Sequence, residues 1–183
     1  MIIVSGPSGA GKGTLIRRMH ERFPFLRTAI SATTRPIRPG ERDGREYHFL
    51  TEAQFLHHVD NGDFLEHVVY AGNRYGTLRT EVERNLTDGH SVILEIELRG
   101  ARTLREALPH AVTIFIEPPS LDELIRRLRE RDTEGEAEIQ ARLKESQVEL
   151  GARQEFNYRV RNDDLDAATS EMARIVDAAT RSD

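Results

Sequence analysis

The chain has 183 residues, of which 38 % are hydrophobic and 31 % charged, with a formal net charge of −5 at pH 7. This length predicts a single domain with a sizeable core, and the acidic balance argues against a nucleic-acid-binding protein. No apolar run approaches the ~20 residues that cross a bilayer, the absence of cysteine excludes a disulfide framework, and the apolar start lacks the pattern of a signal peptide. We therefore expect a cytoplasmic protein.

The first segment of the chain predicts a phosphate-binding site. Residues 1–5 form an apolar run typical of a buried strand, the glycine-rich run GPSGAGKG follows, and a helical pattern continues to about Glu21. The segment matches the P-loop spacing, in which backbone N–H groups surround a phosphate at a helix N-terminus and a lysine neutralises it. The residues predicted to bind nucleotide phosphates are Gly6, Pro7, Ser8, Gly9, Ala10, Gly11, Lys12, Gly13 and Thr14.

Two positions of this loop bear on the chemistry. Lys12 and Lys144 are the only lysines among 26 basic residues, so a lysine here fits a need for a compact point charge beside phosphates. Gly13 stands where fuller P-loops carry the Ser or Thr that ligates Mg²⁺, and the next residue is rotated by about 100° along the helix. The best remaining ligands are Glu95, acting through water, and Glu97, unless these are two ordinary charges at a strand end.

Further along the chain, the apolar runs at residues 91–96 and 112–116 predict strands, with a helix-like stretch at residues 100–107 between them. Short apolar strands that alternate with helices indicate an α/β protein with a parallel sheet. Capping-box patterns at residues 51–54 and 120–123 predict two helix starts. A short strand is expected before the polar turn at residues 161–164, followed by a closing amphipathic helix over residues 165–179.

Two polar segments, residues 31–80 and 126–145, interrupt this alternation. We interpret both as insertions over the carboxyl edge of the sheet, where ligands bind in this architecture, although a solvated surface remains open for the second one. In the first insertion, Arg35 and Arg38 flank a proline-containing turn and offer planar guanidinium groups suited to a doubly charged phosphate. Tyr47 can add a hydroxyl donor to such a site.

Residues 33–49, which read TTRPIRPGERDGREYHF, resemble the guanylate kinase signature almost position for position. The resemblance continues through FLE, GNRYGT, EIE, PPS and NDD at residues 64–66, 72–77, 95–97, 118–120 and 162–164, and thus spans essentially the whole chain. It implies a P-loop NTPase-type parallel sheet flanked by helices, within a single domain. The implied parts are a core of about residues 1–30, 81–125 and 146–183, a GMP-binding insertion at about residues 31–80 and a lid at about residues 126–145.

The resemblance also implies an activity, namely transfer of the γ-phosphoryl group of ATP to GMP and to dGMP, with Mg²⁺. ATP and GMP or dGMP are the implied partners, without nucleic acid, a membrane or an obligate protein partner. Arginines on a mobile lid suit this chemistry, which requires cations around the transferred group and exclusion of water. The implied catalytic residues are Lys12, Arg38, Arg131 and Arg142, and Asn162 would contact the adenine ring.

By the same resemblance, Arg35, Arg38, Tyr47 and Tyr75 would hold the phosphate of GMP. Ser31, Glu66, Thr77 and Glu97 would complete the substrate-binding set. Guanine presents N1–H and a 2-amino group as adjacent donors and O6 as an acceptor, which a carboxylate beside a hydroxyl complements. We therefore expect guanine to be recognised mainly through Glu66.

Two departures from the family pattern bear on the lid and its surroundings. Asp132 stands where many relatives have Gly, and Arg99 stands where Gln is common. A catalytically weak guanylate-kinase-like protein-binding module is the main alternative, but such a module needs no working P-loop, and this chain retains Lys12 and the signature arginines. A kinase for another mononucleotide is disfavoured by Glu66 with Ser31, and no Asn-Lys-x-Asp motif indicates a GTP-hydrolysing switch.

Overall fold

The structure is a computed structural model that describes residues 1–70, 72–130 and 136–181, without the side chains at positions 128, 130, 136–139, 141 and 142. The strands in these ranges are β1 (Ile2–Ser5), β2 (Leu26–Thr28), β3 (Ala32–Thr33), β4 (His48–Phe49), β5 (Phe64–Tyr70), β6 (Asn73–Leu78), β7 (Ser91–Glu95), β8 (Val112–Glu117) and β9 (Tyr158–Arg161). The helices are α1 (Lys12–Arg22), α2 (Glu52–Asp60), α3 (Arg79–Thr87), α4 (Leu98–Ala107), α5 (Leu121–Glu130), α6 (Glu136–Gly151) and α7 (Leu165–Thr180), with a 3₁₀ turn at Arg153–Glu155.

The central sheet has the order β2-β7-β1-β8-β9, and all its strand pairs are parallel. Ile2 and Val4 of β1 pack in one core with α1 and α7, whereas Ile3 packs in a second core with α3 and α4. Because both faces of the sheet are covered, its strands contain continuous apolar runs, as expected for a buried parallel sheet. The predicted α/β fold with a parallel sheet flanked by helices is confirmed.

The middle of this sheet positions the phosphate loop. β1 lies between β7 and β8, and Val4 pairs with Glu95 at the carboxyl end of β7. The loop that follows β1 and the two glutamates at the end of β7 therefore meet at one edge of the sheet. This is the edge at which open α/β sheets bind their ligands.

A second sheet, with the order β4-β3-β6-β5, forms within the first polar segment. Its core contains Ala32, Phe55 from α2 and Phe64, and the two phenylalanine rings stack with centroids 4.5 Å apart. The sequence predicted an insertion here but no strands. β2 in the central sheet was also missed, because it is three residues long with only Leu26 buried.

Both helix starts predicted from the capping-box patterns are confirmed, because α2 begins at Glu52 and α5 at Leu121. At Thr51 both halves of the capping box form with Gln54. At Ser120 the hydroxyl accepts the N–H of Glu123 at 3.1 Å, but the Glu123 carboxylate accepts from Arg126 and Arg127 instead of completing the box, so that part of the prediction is wrong. α4 begins at Leu98, slightly before the predicted residue 100.

A search of the described helices found none long and apolar enough to span a bilayer.

Candidate functional site

A cleft of ≈ 530 Å³ is lined by the phosphate loop, the end of β7 and the second sheet. It brings together most of the site residues predicted from sequence, although they are dispersed along the chain. Those in its lining are Ser8, Gly9, Gly11, Lys12, Gly13, Thr14, Ser31, Arg35, Arg38, Tyr47, Glu66, Tyr75, Glu95 and Glu97.

The phosphate loop owes its shape to glycines. Gly6, Gly9 and Gly11 have φ values of 140°, 90° and 92°, a region that side chains rarely adopt. A Cβ on Gly6 would also lie 2.3 Å from the carbonyl oxygen of Ile116. Lys12 begins α1, is 9 % exposed, and donates through Nζ to the carbonyls of Gly6 (2.5 Å) and Pro7 (3.2 Å). The ammonium group is thus held inside the curve of the loop, at a helix N-terminus suited to anions.

Arg35, on the opposite side of the cleft, is fixed by a carboxylate that the sequence patterns do not single out. Its Nη2 donates to both oxygens of Glu41, at 2.8 and 3.0 Å, and Glu41 also accepts the backbone N–H of Arg38 at 2.8 Å. Burial opposes ionisation of Glu41, but these donors outweigh burial and lower the pKa of its carboxyl. Glu41 therefore remains ionised and holds the turn between the two arginines.

Aromatic rings surround the same arginine. Its guanidinium carbon lies 5.4 Å from the ring centroid of Tyr47 and 5.7 Å from that of Phe49. The rings of Tyr47 and Tyr75 meet edge to face at 5.9 Å. Burial, with the nearby Glu95 charge, raises the pKa of Tyr47. Its hydroxyl therefore stays protonated and can donate to an anion in the cleft.

Glu66 is the most buried carboxylate in the cleft, with 5 % of its surface exposed. The hydroxyl of Thr77 donates to its Oε1 at 2.7 Å. Burial raises the pKa of Glu66 to about 7; the Thr77 bonds oppose this shift and the Glu97 charge adds to it. Thr77 itself is fully buried and is not in the cleft lining, so it acts on the cleft through Glu66.

The residues near Gly13 were tested for their fit to a magnesium ion. Glu95 is exposed in the cleft lining, and a Cβ on Gly13 would lie 3.9 Å from its Oε2. Thr14 belongs to the same lining, and carboxylate and hydroxyl oxygens are ligands that Mg²⁺ prefers. Within the described ranges, no group of three or more His, Cys, Asp or Glu side chains could hold a metal. The site therefore fits an ion bound mostly by phosphates and water.

A second carboxylate, Glu149 on α6, lies beside Glu97 and is 4 % exposed. Burial and the Glu97 charge raise the pKa of Glu149, and the Lys12 charge opposes that rise. One oxygen of each carboxylate is buried without a hydrogen-bond partner among the described residues. No sequence signal indicates Glu149, because it lies in a charged helical stretch that resembles a solvated surface.

A separate cavity of ≈ 440 Å³ lies on the other side of the loop, lined by Gly9, Gly11, Thr14, Arg127, Asn162, Asp163 and Leu165. The Asn162 side chain is buried, and its Nδ2 donates to the Ala10 carbonyl at 2.8 Å. A Cβ on Gly11 would lie 2.3 Å from that nitrogen. The amide of Asn162 therefore supports the loop directly.

The remaining site predictions lie outside these two cavities or outside the described residues. Gly6, Pro7 and Ala10 shape the loop but are in neither lining. Arg131 and Asp132 lie outside the described residues, and for Arg142 only its position in α6 is described.

The cleft also contains residues that sequence reasoning missed, namely Arg17, Glu41, Glu46, Val68, Tyr70, Gly76 and Ile96. Glu41 lies within the signature, three residues after Arg38, and this spacing was an available signal. Glu46, Gly76 and Ile96 also lie within the quoted signature segments, whereas Arg17, Val68 and Tyr70 carry no local signal.

Comparison with known proteins gave concordant matches. The family model described as guanylate kinase matches residues 1–179. A guanylate kinase of Rubrobacter xylanophilus is 51 % identical over 96 % of this chain and 92 % of its own length, and one of Synechococcus sp. strain JA-3-3Ab is 47 % identical over 96 % and 81 %. The crystal structure of guanylate kinase from Anaplasma phagocytophilum is 31 % identical, with a TM-score of 0.78, and the match covers 97 % of this chain and 84 % of that one.

Proposed function

The chain belongs to the guanylate kinase family, and on this basis we propose that it transfers the γ-phosphoryl group of ATP to GMP, giving ADP and GDP. The observation that carries the proposal is the shared cleft. A P-loop lysine, two signature arginines and a buried carboxylate all line it. The donor and acceptor phosphates can therefore meet in one water-restricted space, which this reaction requires.

On the acceptor side, Arg35, Arg38, Tyr47 and Tyr75 bind the phosphate of GMP. Arg35 is prepared for this by Glu41, which holds its guanidinium beside the two rings. Ionised arginine and a protonated tyrosine hydroxyl both donate to phosphate oxygens, and such charge-assisted hydrogen bonds are strong. These residues bring a phosphate oxygen of GMP towards the phosphate loop.

The base is recognised by Glu66, with Ser31 and Glu97 in the same lining. Ionised Glu66 accepts from the N1–H and the 2-amino group of guanine, and neither adenine nor a pyrimidine presents that pair of donors in the same arrangement. Thr77 orients the carboxylate through the hydrogen bond from its hydroxyl to Oε1, and the oxygen of that hydroxyl remains able to accept from the base. A dGMP molecule carries the same base and phosphate, so we include it as a substrate.

On the donor side, the loop N–H groups and Lys12 hold the β- and γ-phosphates of ATP. An oxygen of the GMP phosphate attacks the γ-phosphorus, the bond from that phosphorus to the β–γ bridging oxygen breaks, and ADP leaves with the electron pair. The attacking oxygen is already anionic, so no general base is required. Lys12 stabilises the charge that develops on the transferred group, and Arg131 and Arg142 add positive charge from the lid.

Mg²⁺, when bound, neutralises charge on the ATP phosphates. Glu95 would support the ion through water, because the chain offers Gly13 in place of a hydroxyl ligand. Asn162 supports the loop through Ala10. It also lines the ≈ 440 Å³ cavity, to which we assign the adenine ring of ATP. We place the enzyme in the cytoplasm, where its nucleotide substrates are, and propose no nucleic-acid or obligate protein partner.

The test is a coupled assay of ADP formation with GMP, dGMP, AMP, CMP and UMP as acceptors, with and without added Mg²⁺. We expect turnover with GMP, weaker turnover with dGMP, and no appreciable turnover with the other three or without the metal. A protein-binding module would show no turnover with any acceptor. Equal use of AMP and GMP would refute the role given to Glu66.

A further inference from the structure

The first turn of α4 lies against the carboxylate of Glu66. A Cβ placed on Gly100 would lie 2.3 Å from Glu66 Oε2 and 2.9 Å from its Cδ. These separations are far inside van der Waals contact, so a side chain at position 100 and the carboxylate cannot keep their places together. The position of the Glu66 carboxylate thus depends on the absence of a side chain at Gly100.

The backbone conformation at position 100 does not require a glycine. Gly100 lies within α4, and its φ is not positive. At a helical position alanine is favoured over glycine by about 1 kcal/mol. The glycine is therefore unfavourable for the helix, and the adjacent carboxylate accounts for it.

Gly76 in the cleft lining and Gly6 in the phosphate loop provide a contrast. A Cβ on Gly76 would meet the ring of Phe64 at 2.8 Å, and one on Gly6 would meet the backbone of Ile116. A methyl group at either position would strain the fold. The three atoms nearest to a Cβ on Gly100 all belong to the Glu66 side chain. The end of that side chain can rotate, so the fold tolerates a methyl group at position 100 while the carboxylate moves.

The carboxylate is held on both sides. Thr77 donates to Oε1 at 2.7 Å, and Oε2 lies over Gly100. Glu66 thus lies between β6, which carries Thr77, and the first turn of α4, whose N-cap residue is Glu97. These contacts fix the direction in which the carboxylate faces the cleft before any base binds.

We propose that Gly100 is a positioning residue for base specificity, because its missing side chain lets the Glu66 carboxylate occupy the place from which it accepts the donors of guanine. This inference rests on the proposed function. It extends base recognition to a residue of α4 that lies outside the cleft lining. The arrangement links the start of α4, beside the central sheet, to the acceptor pocket of the second sheet.

The experiment compares Gly100→Ala with wild type and with Gly151→Ala, a change at a helical glycine where an added Cβ would have no atom within 4 Å. We expect Gly100→Ala to lower kcat/KM for GMP about 10-fold or more, as for the loss of a charged hydrogen bond. The decrease in kcat/KM should come from a higher KM for GMP, whereas kcat at saturating GMP and KM for ATP should change little. Gly151→Ala keeps wild-type kinetics.

Two further measurements distinguish positioning from a general structural effect. Inosine monophosphate lacks the 2-amino group and makes one hydrogen bond fewer to Glu66, so moving the carboxylate should weaken its use less than that of GMP. The ratio of kcat/KM for GMP to kcat/KM for inosine monophosphate should therefore be smaller in Gly100→Ala than in wild type. Adding Glu66→Asp shortens the side chain by one methylene and should restore part of the lost kcat/KM. A double-mutant cycle would then report coupling between the two positions.

Wild-type kcat/KM for GMP in Gly100→Ala would overturn the inference while leaving the proposed function intact. A parallel loss of ATP use, kcat and thermal stability, without rescue by Glu66→Asp, would also overturn it in favour of a packing role. If the wild type does not phosphorylate GMP, the proposed function fails first, and this inference fails with it.

Discussion

The two halves of the cleft are constructed in different ways. The donor half consists mainly of backbone from consecutive residues, and Lys12 is bonded to carbonyls of its own loop. The acceptor half consists of side chains from separate elements, each held by another residue, as Arg35 is by Glu41 and Glu66 is by Thr77. We therefore expect changes in the donor half to alter the rate of transfer, and changes in the acceptor half to alter which nucleotide is accepted.

The largest expected effect is a loss of kcat when Lys12, in the donor half, is replaced. Lys12→Arg preserves charge, but a broad planar guanidinium cannot occupy the space inside the loop that the ammonium fills. Misplacing a reacting group by about 1 Å can lose on the order of 100-fold in rate, so kcat should fall at least that far while KM for GMP changes little. Steady-state kinetics test this.

Lys144→Arg is the matched control for Lys12→Arg, because it changes the only other lysine, which is exposed on α6. We expect wild-type kcat in this variant. A folded Lys12→Arg enzyme that keeps more than about a tenth of wild-type kcat would contradict the preorganised cradle.

Glu66→Gln should produce the next largest effect, now on the acceptor. The amide offers one acceptor where the carboxylate offers two, and it places N–H groups against the donors of guanine. Losing a charged hydrogen bond costs about 1.5 to 3 kcal/mol, or roughly 10- to 150-fold in kcat/KM for GMP. KM for ATP should not change, and Glu83→Gln on the exposed side of α3 should be neutral. An unchanged kcat/KM would remove Glu66 from the site.

The pH dependence of GMP use should be smaller but diagnostic. Burial raises the pKa of Glu66 to about 7, so the accepting, ionised form dominates above that pH and is lost below it. One pH unit below its pKa, about a tenth of a carboxyl group remains ionised, which corresponds to roughly a tenfold lower kcat/KM for GMP.

Because the phosphate of GMP also titrates, the useful quantity is the ratio of wild-type to Glu66→Gln kcat/KM. That ratio should narrow from about pH 8 to about pH 6. A ratio independent of pH would mean that Glu66 does not titrate in this range.

The smallest expected effect tests a buried side chain, Asn162, that supports the donor half from outside its loop. Asn162→Ala removes the bond to the Ala10 carbonyl. A neutral hydrogen bond contributes about 0.5 to 1.5 kcal/mol, so KM for ATP should rise roughly 2- to 12-fold while KM for GMP stays constant. Asn61→Ala, at the exposed end of α2, is the control. A rise confined to KM for GMP would contradict the assignment of Asn162 to the donor half.

The donor half is built from consecutive residues and the acceptor half from dispersed ones, and this difference explains what the sequence could predict. The phosphate loop, β1, β7 and β8 are signalled locally, by contiguous glycines or by apolar runs, and the structure contains them. In the second sheet, β3 and β4 were missed because they are two residues long, which is too short for an alternating pattern. The longer strands β5 and β6, FLEHVVY and NRYGTL, were missed because polar residues interrupt their apolar ones. The sequence resemblance named residues of this region, but the side-chain pairs that hold them, such as Arg35 with Glu41 and Glu66 with Thr77, carry no signal in an apolar periodicity.

Gly100 and Glu149 illustrate this limit. Gly100 lies in a helical pattern, and its meaning depends on a carboxylate 34 positions earlier in the chain. Glu149 resembles any exposed helix carboxylate until folding buries it beside Glu97. Thr77 was expected in the substrate-binding set, and the structure adds that its hydroxyl donates to Glu66. In each case the residue type was visible in the sequence, but its partner was not.

The most direct test of the separation between the two halves is GMP binding measured by calorimetry in Lys12→Arg and in Glu66→Gln, in the absence of ATP. The account predicts that Lys12→Arg binds GMP within about threefold of wild type, whereas Glu66→Gln binds it at least about 10-fold more weakly. If Lys12→Arg weakened GMP binding as much as Glu66→Gln does, the two halves would not be separate sites. That result would contradict the central claim.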